Sequence, residues 1–260
     1  MERWAGKVAL VTGASAGIGA QITKMLAQNG MKVIAAARRL EKLEELAAYI
    51  KREYKVEIYP ITCDVRKEED ILKVFKWAND KLGGVDVLVN NAGVLWNETI
   101  IDGSTEHYRA IMEVNVIGTA ICSRELTRSI KKREACGHII NINSIAGHYA
   151  ESLNLPLSVY CASKYGITGM THNLRNEISN AKLNIRVTSI SPGAVDTYML
   201  SCIEFPEDVT KRDDVGMLKD QDIADAVLYV LGAPPHVVIS ELIITPHGLT
   251  MGSALKKQQN

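Results

Sequence analysis

The chain has 260 residues, of which 47% are hydrophobic, and its 30 basic and 30 acidic residues cancel to a formal net charge of zero. Without an excess of positive charge the chain as a whole is not attracted to nucleic acid or to an anionic membrane surface, so neither is expected as a partner. No apolar run reaches the roughly 20 residues that a membrane span needs, and the chain enters its first strand without room for a signal peptide.

Short apolar runs alternate with amphipathic helical patterns along the chain. The predicted strands are residues 8–11, 31–37, 56–61, 85–89, 138–143, 185–190 and 242–244. The predicted helices follow the first strand up to about residue 29 and then cover about 40–50, 67–81, 105–132, 158–180 and 222–231. This alternation predicts an α/β fold: a doubly wound (Rossmann) parallel sheet of about seven strands with helices on both faces. We expect one domain over residues 1–260.

The first strand ends in the glycine-rich sequence Thr12-Gly13-Ala14-Ser15-Ala16-Gly17-Ile18-Gly19, which runs into the first helix. Such a junction leaves backbone N–H groups at a helix N-terminus facing an open corner, where partial positive charge favours a phosphate. Gly13 permits the tight turn, Gly17 lets a pyrophosphate approach the backbone, and Gly19 lets the helix pack on the strand. The alternative is a plain glycine-rich turn between two elements.

Polar or glycine-rich residues also follow the other predicted strands, and ligands of such sheets bind outside the carboxyl ends of the strands. These residues are Arg38, Asp64, Asn91 to Gly93, Ser144, and Pro192 with Gly193. Loops can collect such residues simply to turn the chain. Their recurrence at one sheet edge favours a binding site instead.

Tyr160 and Lys164 are spaced i and i+4 on a predicted helix, so their side chains share one face. A tyrosine is a poor acid or base at neutral pH because its reference pKa is about 10. We expect the lysine ammonium to stabilise the phenolate and bring this pKa closer to neutrality. The alternative is a surface tyrosine beside a surface lysine.

Together these motifs resemble the short-chain dehydrogenase/reductase family over nearly the whole chain. Thr12 to Gly19 match the family's TGxxxGIG loop at every fixed position. Asn90-Asn91-Ala92-Gly93 and Pro192-Gly193-x-Val195-x-Thr197 match two further motifs, and the family's catalytic tetrad is matched by Asn115, Ser144, Tyr160 and Lys164. Residues 137–144, 147–148 and 156–159 resemble a branch that includes farnesol dehydrogenases and broad-specificity carbonyl and steroid reductases.

The resemblance implies a role for each residue of the tetrad. Tyr160 gives a proton to the carbonyl oxygen in reduction and takes one from the alcohol in oxidation. Ser144 donates a hydrogen bond to that oxygen, and Lys164 lowers the tyrosine pKa and binds the nicotinamide ribose. Asn115 holds a water that links Lys164 to solvent.

The resemblance also implies an NADP(H) site. Its residues are Gly13, Ser15, Ala16, Gly17, Ile18, Gly19, Arg38, Arg39, Asp64, Val65, Asn91, Ala92, Gly93, Tyr160, Lys164, Pro192, Gly193, Val195 and Thr197. An NAD site of this type places a carboxylate after the second strand, whereas here Arg38 and Arg39 stand there and no acid follows until Glu41. A guanidinium matches the charge and geometry of a 2′-phosphate. Arg38 is the expected phosphate ligand, with Arg39 either assisting it or facing solvent.

The expected substrate is a small to medium apolar alcohol or carbonyl compound, such as a terpenoid alcohol like farnesol or a steroid-like or retinoid-like molecule. Ser144 and Tyr160 are separated by an unusually long segment with extra residues at 151–156, which would line the substrate pocket. A lid is expected at about 194–217, where the apolar residues Tyr198, Met199, Leu200, Ile203 and Phe205 occur. Glu204, Glu207 and Asp208 in that segment argue against an anionic ligand.

Several further expectations complete the interpretation. A non-catalytic NADP-sensing regulator of the same fold is the alternative function, although such proteins usually lose the tyrosine or lysine.

Helices 105–132 and 158–180 resemble those that pair between subunits in the family, which implies a homodimer or homotetramer. The five cysteines are odd in number and widely spaced, as in reduced cytoplasmic proteins. No metal site is expected from the six scattered histidines. Whether His148 and Tyr149 line the substrate pocket is left open by the sequence.

Overall fold

A computed structural model describes residues 1–153, 155–201 and 216–247. The strands are β1 Val8–Thr12, β2 Lys32–Ala37, β3 Ile58–Thr62, β4 Val87–Asn90, β5 Gly137–Ile142, β6 Ile185–Pro192 and β7 Glu241–Ile244. The helices are α1 Gly17–Gln28, α2 Leu40–Tyr54, α3 Glu68–Leu82, α4 Thr105–Ile111, α5 Thr119–Arg133, α6 Tyr160–Asn180, α7 Tyr198–Ser201 and α8 Asp220–Gly232. A π-helical segment, Met112–Gly118, joins α4 to α5. Among the described residues, no helix is both long and apolar enough to span a bilayer.

The seven strands form one parallel sheet in the order β3-β2-β1-β4-β5-β6-β7. The chain first builds outward from β1 to β3 and then returns to β4, which pairs with the other edge of β1. The carboxyl ends of β1 and β4 therefore flank the point where the winding direction reverses, the usual ligand crevice of such sheets. The predicted doubly wound α/β fold is confirmed.

The residues of β1 show why the sheet is covered on both faces. Every residue of this strand is buried. Ala9 and Val11 belong to the apolar core on the side of α1 and α8, whereas Val8 and Leu10 belong to the core on the side of α3 and α5. Successive side chains point to opposite faces of a strand, so a continuous apolar run suits a strand with helices on both sides.

Two element boundaries differ from the sequence prediction for identifiable reasons. The predicted helix at 158–180 begins at Tyr160, because Ser158 adopts a left-handed backbone conformation with φ of 50°. Strand β6 continues beyond residue 190 to Pro192, which pairs with Ile244. A proline is tolerated at this end position because the following residue, Gly193, donates its N–H to the Ile244 carbonyl at 2.7 Å.

The substrate lid expected at 194–217 lies largely outside the described residues. Its described start includes Ala194, whose carbonyl accepts from the Leu218 N–H at 2.9 Å, and the buried Val195, which forms a bridge with Leu218. It continues to α7, whose residues include Met199 and Leu200. The expectations that rest on Ile203, Glu204, Phe205, Glu207 and Asp208 concern residues beyond it.

His138 in β5 is a buried titratable group inside the core, with only 1% of its surface exposed. Its Nε2 lies 2.9 Å from the Thr188 hydroxyl, and Thr188 donates its proton to the Ile239 carbonyl at 2.7 Å. His138 Nε2 is therefore the donor. Its buried Nδ1 has no hydrogen-bond partner among the described residues, so a second ring proton would be unsatisfied and the neutral ring is favoured. Burial, with contributions from Arg186 and Arg3, lowers the pKa of His138 to about 3.

This shift makes the free energy of unfolding depend on pH. Between about pH 3 and the ordinary histidine pKa of about 6.5, the unfolded chain binds a proton that the folded chain excludes, so stability falls as the pH falls through this window. We expect His138 to account for a loss of about 2 kcal/mol between pH 7 and pH 5. In urea unfolding, the free energy of unfolding of His138→Gln should fall less between pH 7 and pH 5 than that of the parent. His172→Gln, which changes an exposed histidine on α6, should lose as much as the parent. Equal losses in all three proteins would contradict this assignment.

Candidate active site

The glycine-rich turn after β1 is shaped by close approach to the segment after β4. A Cβ on Gly13, whose φ is +66°, would lie 2.8 Å from the backbone of Ala92, and a Cβ on Gly19 would lie 2.5 Å from the Gly13 carbonyl oxygen. Side chains at these two positions would force the backbone apart. Gly17 has a φ of +52° and faces the Thr197 methyl group. The glycines therefore keep a narrow cradle open at the crevice.

Hydrogen bonds tie this turn to the end of β4. The Thr12 hydroxyl accepts from the backbone N–H groups of Asn91 and Ala92, both at 3.1 Å. In return, the Asn91 side chain donates to the carbonyls of Thr12 and Gly13 at 3.0 and 3.2 Å. Thr12 was not among the predicted site residues, although a hydroxyl at the carboxyl end of a fully buried strand could have indicated this role. The two halves of the crevice are thereby held in one geometry.

The first turn of α1 fits an anionic group. Within the described part of the chain, its N-cap residue Ala16 makes no side-chain hydrogen bond to the helix, and the first turn holds no acidic residue. The N–H groups and the positive end of the helix dipole are therefore free of a competing carboxylate. Together with the glycine cradle, these features fit the pyrophosphate of a dinucleotide.

Two arginines follow β2 at the rim of the cradle. The exposed Arg39 donates to the Ser15 hydroxyl at 2.9 Å, so its guanidinium lies directly against the glycine turn. Arg38 is also exposed, and it is close enough to Asp64 to contribute to lowering the pKa of that carboxyl group, although the main cause is the hydrogen bond from Arg66. The sequence analysis favoured Arg38 over Arg39, whereas the structure places both at the rim and Arg39 in contact with the turn.

Three further predicted cofactor residues, Val65, Gly193 and Thr197, follow the ends of β3 and β6. Val65 is buried and packs against the π-helical segment. The two segments approach closely, because a Cβ placed on Gly118 would lie 2.9 Å from the Val65 carbonyl oxygen. Gly193 is held by the end of β7, and Thr197 follows the buried Val195 and faces Gly17. Of these three residues, Thr197 is in contact with the cradle, whereas Val65 and Gly193 follow the carboxyl ends of β3 and β6, and their contact with a cofactor stays a prediction.

The four tetrad residues come from three parts of the chain: the π-helical segment, the loop after β5 and helix α6. Ser144 follows β5, and Tyr160 opens α6 with Lys164 on its next turn. The Ser144 and Tyr160 side chains are close enough for Ser144 to act on the pKa of the tyrosine. Lys164 Nζ donates to the Ile142 carbonyl at 3.0 Å and lies 5.6 Å from the centre of the Tyr160 ring. Asn115 lies in the π-helical segment. Such departures from α-helical geometry are frequent at functional sites.

Burial controls the charges of this group. Burial raises the pKa of Tyr160 to about 12, and the interaction with Ser144 only partly opposes the rise. Burial also lowers the pKa of Lys164 to about 8. The lysine was expected to bring the tyrosine pKa toward neutrality, but the pKa is raised instead, because loss of solvation outweighs the favourable interactions of the phenolate. At neutral pH the tyrosine keeps its proton.

The loop after Ser144 is anchored on three sides. The Ser144 hydroxyl accepts from the Ala146 N–H at 3.1 Å, and the Gly147 carbonyl accepts from the Thr168 hydroxyl at 3.1 Å. His148 Nε2 lies 2.9 Å from the Ser191 hydroxyl and 3.2 Å from the Glu241 carboxylate. The His148 side chain is thus held by β6 and β7, and whether it also lines the substrate pocket stays a prediction.

An apolar wall stands beside Tyr160. Its members are the buried Ala146, Leu157 and Tyr160 and the partly buried Leu95, Leu153, Leu155, Cys161 and Leu200. Leu157 forms a bridge with Glu98, whose N–H donates to the Pro156 carbonyl at 2.9 Å. The extra segment before Tyr160 is therefore packed against the chain that follows β4. Sequence reasoning identified this segment but missed Leu95 and Glu98, which carry no motif.

Comparisons with known proteins agree with this geometry. The family model for short chain dehydrogenases matches residues 7–207. Farnesol dehydrogenase of Aedes aegypti is 48% identical over 250 residues, covering 95% of this chain and 99% of that protein. Dehydrogenase/reductase SDR family member 11 of Gallus gallus is 44% identical over 254 residues, covering 95% and 98%. An alcohol dehydrogenase structure from the archaeon Thermococcus sibiricus, complexed with 5-hydroxy-NADP, has a TM-score of 0.81 at 28% identity, covering 94% and 98%.

Proposed function

The chain belongs to the short-chain dehydrogenase family, and we propose that it is an NADP(H)-dependent alcohol dehydrogenase or carbonyl reductase acting on small to medium apolar substrates. The observation that carries this proposal is the placement of Ser144, Tyr160 and Lys164 at the sheet edge that also holds the glycine cradle. A proton donor, a hydrogen-bond donor and a dinucleotide seat then border one crevice. That arrangement suits hydride transfer to a carbonyl carbon with proton transfer to its oxygen.

The four residues divide the proton chemistry among them. When bound, the nicotinamide supplies or accepts the hydride. Ser144 hydrogen-bonds the substrate oxygen, where negative charge develops during reduction. Tyr160 holds its proton at neutral pH because its pKa is about 12, and it releases this proton to that oxygen. Lys164, with a pKa of about 8, is largely protonated at neutral pH, and we propose that it and Asn115 return the proton from solvent.

The apolar wall supports an apolar substrate. Its leucines offer no charged partner to a substrate, and burying the chain of an isoprenoid or the ring of a steroid against them is favourable by about 25 cal/mol per Å². The relative from Aedes aegypti is named a farnesol dehydrogenase, which supports a terpenoid alcohol as the first substrate to test. Steroid-like and retinoid-like alcohols and ketones are the next candidates.

A cofactor and substrate panel tests the proposed activity. We expect the purified protein to oxidise farnesol or another apolar alcohol with NADP⁺, and to reduce the matching carbonyl with NADPH, as followed by absorbance of the reduced nicotinamide. A carboxylate-bearing analogue of similar size should react more slowly. NADPH binding without turnover of any terpenoid, retinoid or steroid substrate would favour the non-catalytic NADP-sensing regulator.

We also propose a homodimer or homotetramer in the cytoplasm. Apolar side chains that are partly exposed on the π-helical segment and on α6, namely Met112, Ile117 and Tyr165, support pairing through these helices. The four described cysteines are free thiols, in keeping with a reducing compartment. Sedimentation velocity at micromolar protein should therefore show a species larger than the 28.5 kDa chain.

A further inference from the structure

A buried chain of hydrogen bonds links the segment after β4 to the start of α6. The Asn115 side chain receives the Val94 N–H on its Oδ1 at 2.9 Å and donates from Nδ2 to the Val94 carbonyl at 3.0 Å. The same Nδ2 donates to the Ser163 hydroxyl at 3.0 Å. Ser163 in turn donates to the Tyr160 carbonyl at 2.7 Å. Asn115 is 2% and Ser163 is 0% exposed, so water does not replace these bonds.

The donors and acceptors allow only one arrangement of this chain. The Val94 N–H can bond only to the carboxamide oxygen, which directs Nδ2 to the Val94 carbonyl and to Ser163. Because the one hydroxyl proton of Ser163 goes to the Tyr160 carbonyl, its oxygen is free to accept from Asn115. Removing the hydroxyl would leave one buried N–H of Asn115 without a partner and release the Tyr160 carbonyl from its extra bond.

We propose that Ser163 is a positioning residue that holds the Asn115 carboxamide and the first turn of α6 in register with each other. Ser163 reaches Asn115 on the π-helical segment and, through the backbone, Tyr160 on α6. Its hydroxyl thereby couples the segment beside the cofactor cradle to the tyrosine that transfers the proton. The catalytic consequence rests on the proposed function, whereas the positional consequence does not.

Thr171 provides a matched control for a purely structural hydroxyl. It lies two turns further along α6, is 0% exposed like Ser163, and accepts a hydrogen bond from the Asn141 side chain at 2.9 Å. Asn141 is not a tetrad residue. Ser163→Ala and Thr171→Val each remove one buried hydroxyl from the same helix with little change in shape. Both variants should lower the melting temperature by a similar amount.

The first test does not depend on enzymatic activity. The Val94 N–H reports on the Asn115 carboxamide because Oδ1 is its acceptor. We expect amide exchange at Val94, measured by NMR without cofactor, to be about tenfold faster in Ser163→Ala than in the parent and nearly unchanged in Thr171→Val. An unchanged Val94 rate in Ser163→Ala would overturn the proposal, even if the protein proves to be an active dehydrogenase.

The second test asks whether the position matters for chemistry. We expect kcat of Ser163→Ala to fall about tenfold, with KM for NADPH within about twofold of the parent. The interaction with Ser144 lowers the pKa of Tyr160. If the first turn of α6 is displaced, this interaction weakens and the pKa of Tyr160 rises. The pH midpoint of alcohol oxidation should therefore move upward in Ser163→Ala and stay in place in Thr171→Val. Parallel changes in the two variants would reduce Ser163 to a structural residue. An inactive parent protein would instead count against the proposed function, and Val94 exchange would still decide the positional role.

Discussion

Replacing Tyr160 with phenylalanine should abolish most turnover while leaving the fold and NADPH binding intact. The ring remains packed against Ala146 and Leu157, because only the hydroxyl is removed. The missing proton donor should cost roughly 10²-fold or more in kcat, which corresponds to at least about 2.7 kcal/mol of transition-state stabilisation. Steady-state reduction with NADPH, together with the dissociation constant of NADPH by fluorescence titration, measures the two effects separately.

Tyr165→Phe is the matched control for this experiment. Tyr165 lies on the same helix and is 44% exposed, so losing its hydroxyl should change kcat by less than about twofold. The burial of Tyr160 adds a second expectation. Since its pKa is about 12, the rate of reduction should stay constant across neutral pH, whereas the rate of oxidation, which needs the deprotonated form, should increase as the pH rises. Near-normal kcat in a folded Tyr160→Phe protein would refute the role of this residue in proton transfer.

The sequence was sufficient to predict the sheet, and the residues of the strands explain why. The runs Val8 to Val11 and Val33 to Ala37 are apolar at every position, which suits a strand between two helical layers. The glycine spacing was equally informative, because a Cβ at Gly13 or Gly19 would collide with backbone atoms. Membership of the short-chain dehydrogenase family, predicted from these motifs, is confirmed by the family model and the relatives.

Other features depend on contacts between distant segments and could not be read from local patterns. The helical pattern at 105–132 gave no sign that residues Met112–Gly118 form a π-helical segment. The neighbours of His148 lie 43 and 93 positions away, at Ser191 and Glu241, so its orientation follows from the tertiary fold. The pKa of Tyr160 depends on burial, which the spacing of Tyr160 and Lys164 does not report.

Cofactor preference should depend on the two arginines that follow β2. Arg39 is already positioned on the glycine turn through Ser15, and Arg38 lies near Asp64 at the same rim. A charge-assisted hydrogen bond to a 2′-phosphate contributes about 1.5–3 kcal/mol, which equals roughly 10- to 150-fold in affinity. We therefore expect the protein to prefer NADP(H) to NAD(H) by at least about tenfold in kcat/KM. Equal or better use of NAD(H) by the unmodified protein would refute this expectation.

Charge reversal at these positions tests which guanidinium provides the preference. Arg38→Asp should reverse or abolish it, because a carboxylate repels the 2′-phosphate and accepts hydrogen bonds from the ribose 2′-hydroxyl of NAD. Arg39→Asp tests the arginine that contacts the turn. Arg52→Asp makes the same charge change near the far end of α2, where screening within about 10 Å limits its influence on the crevice. A shift confined to Arg39→Asp would assign the phosphate to Arg39 instead of Arg38. Equal shifts in all three variants would show that net charge alone, and no specific guanidinium, governs the choice of cofactor.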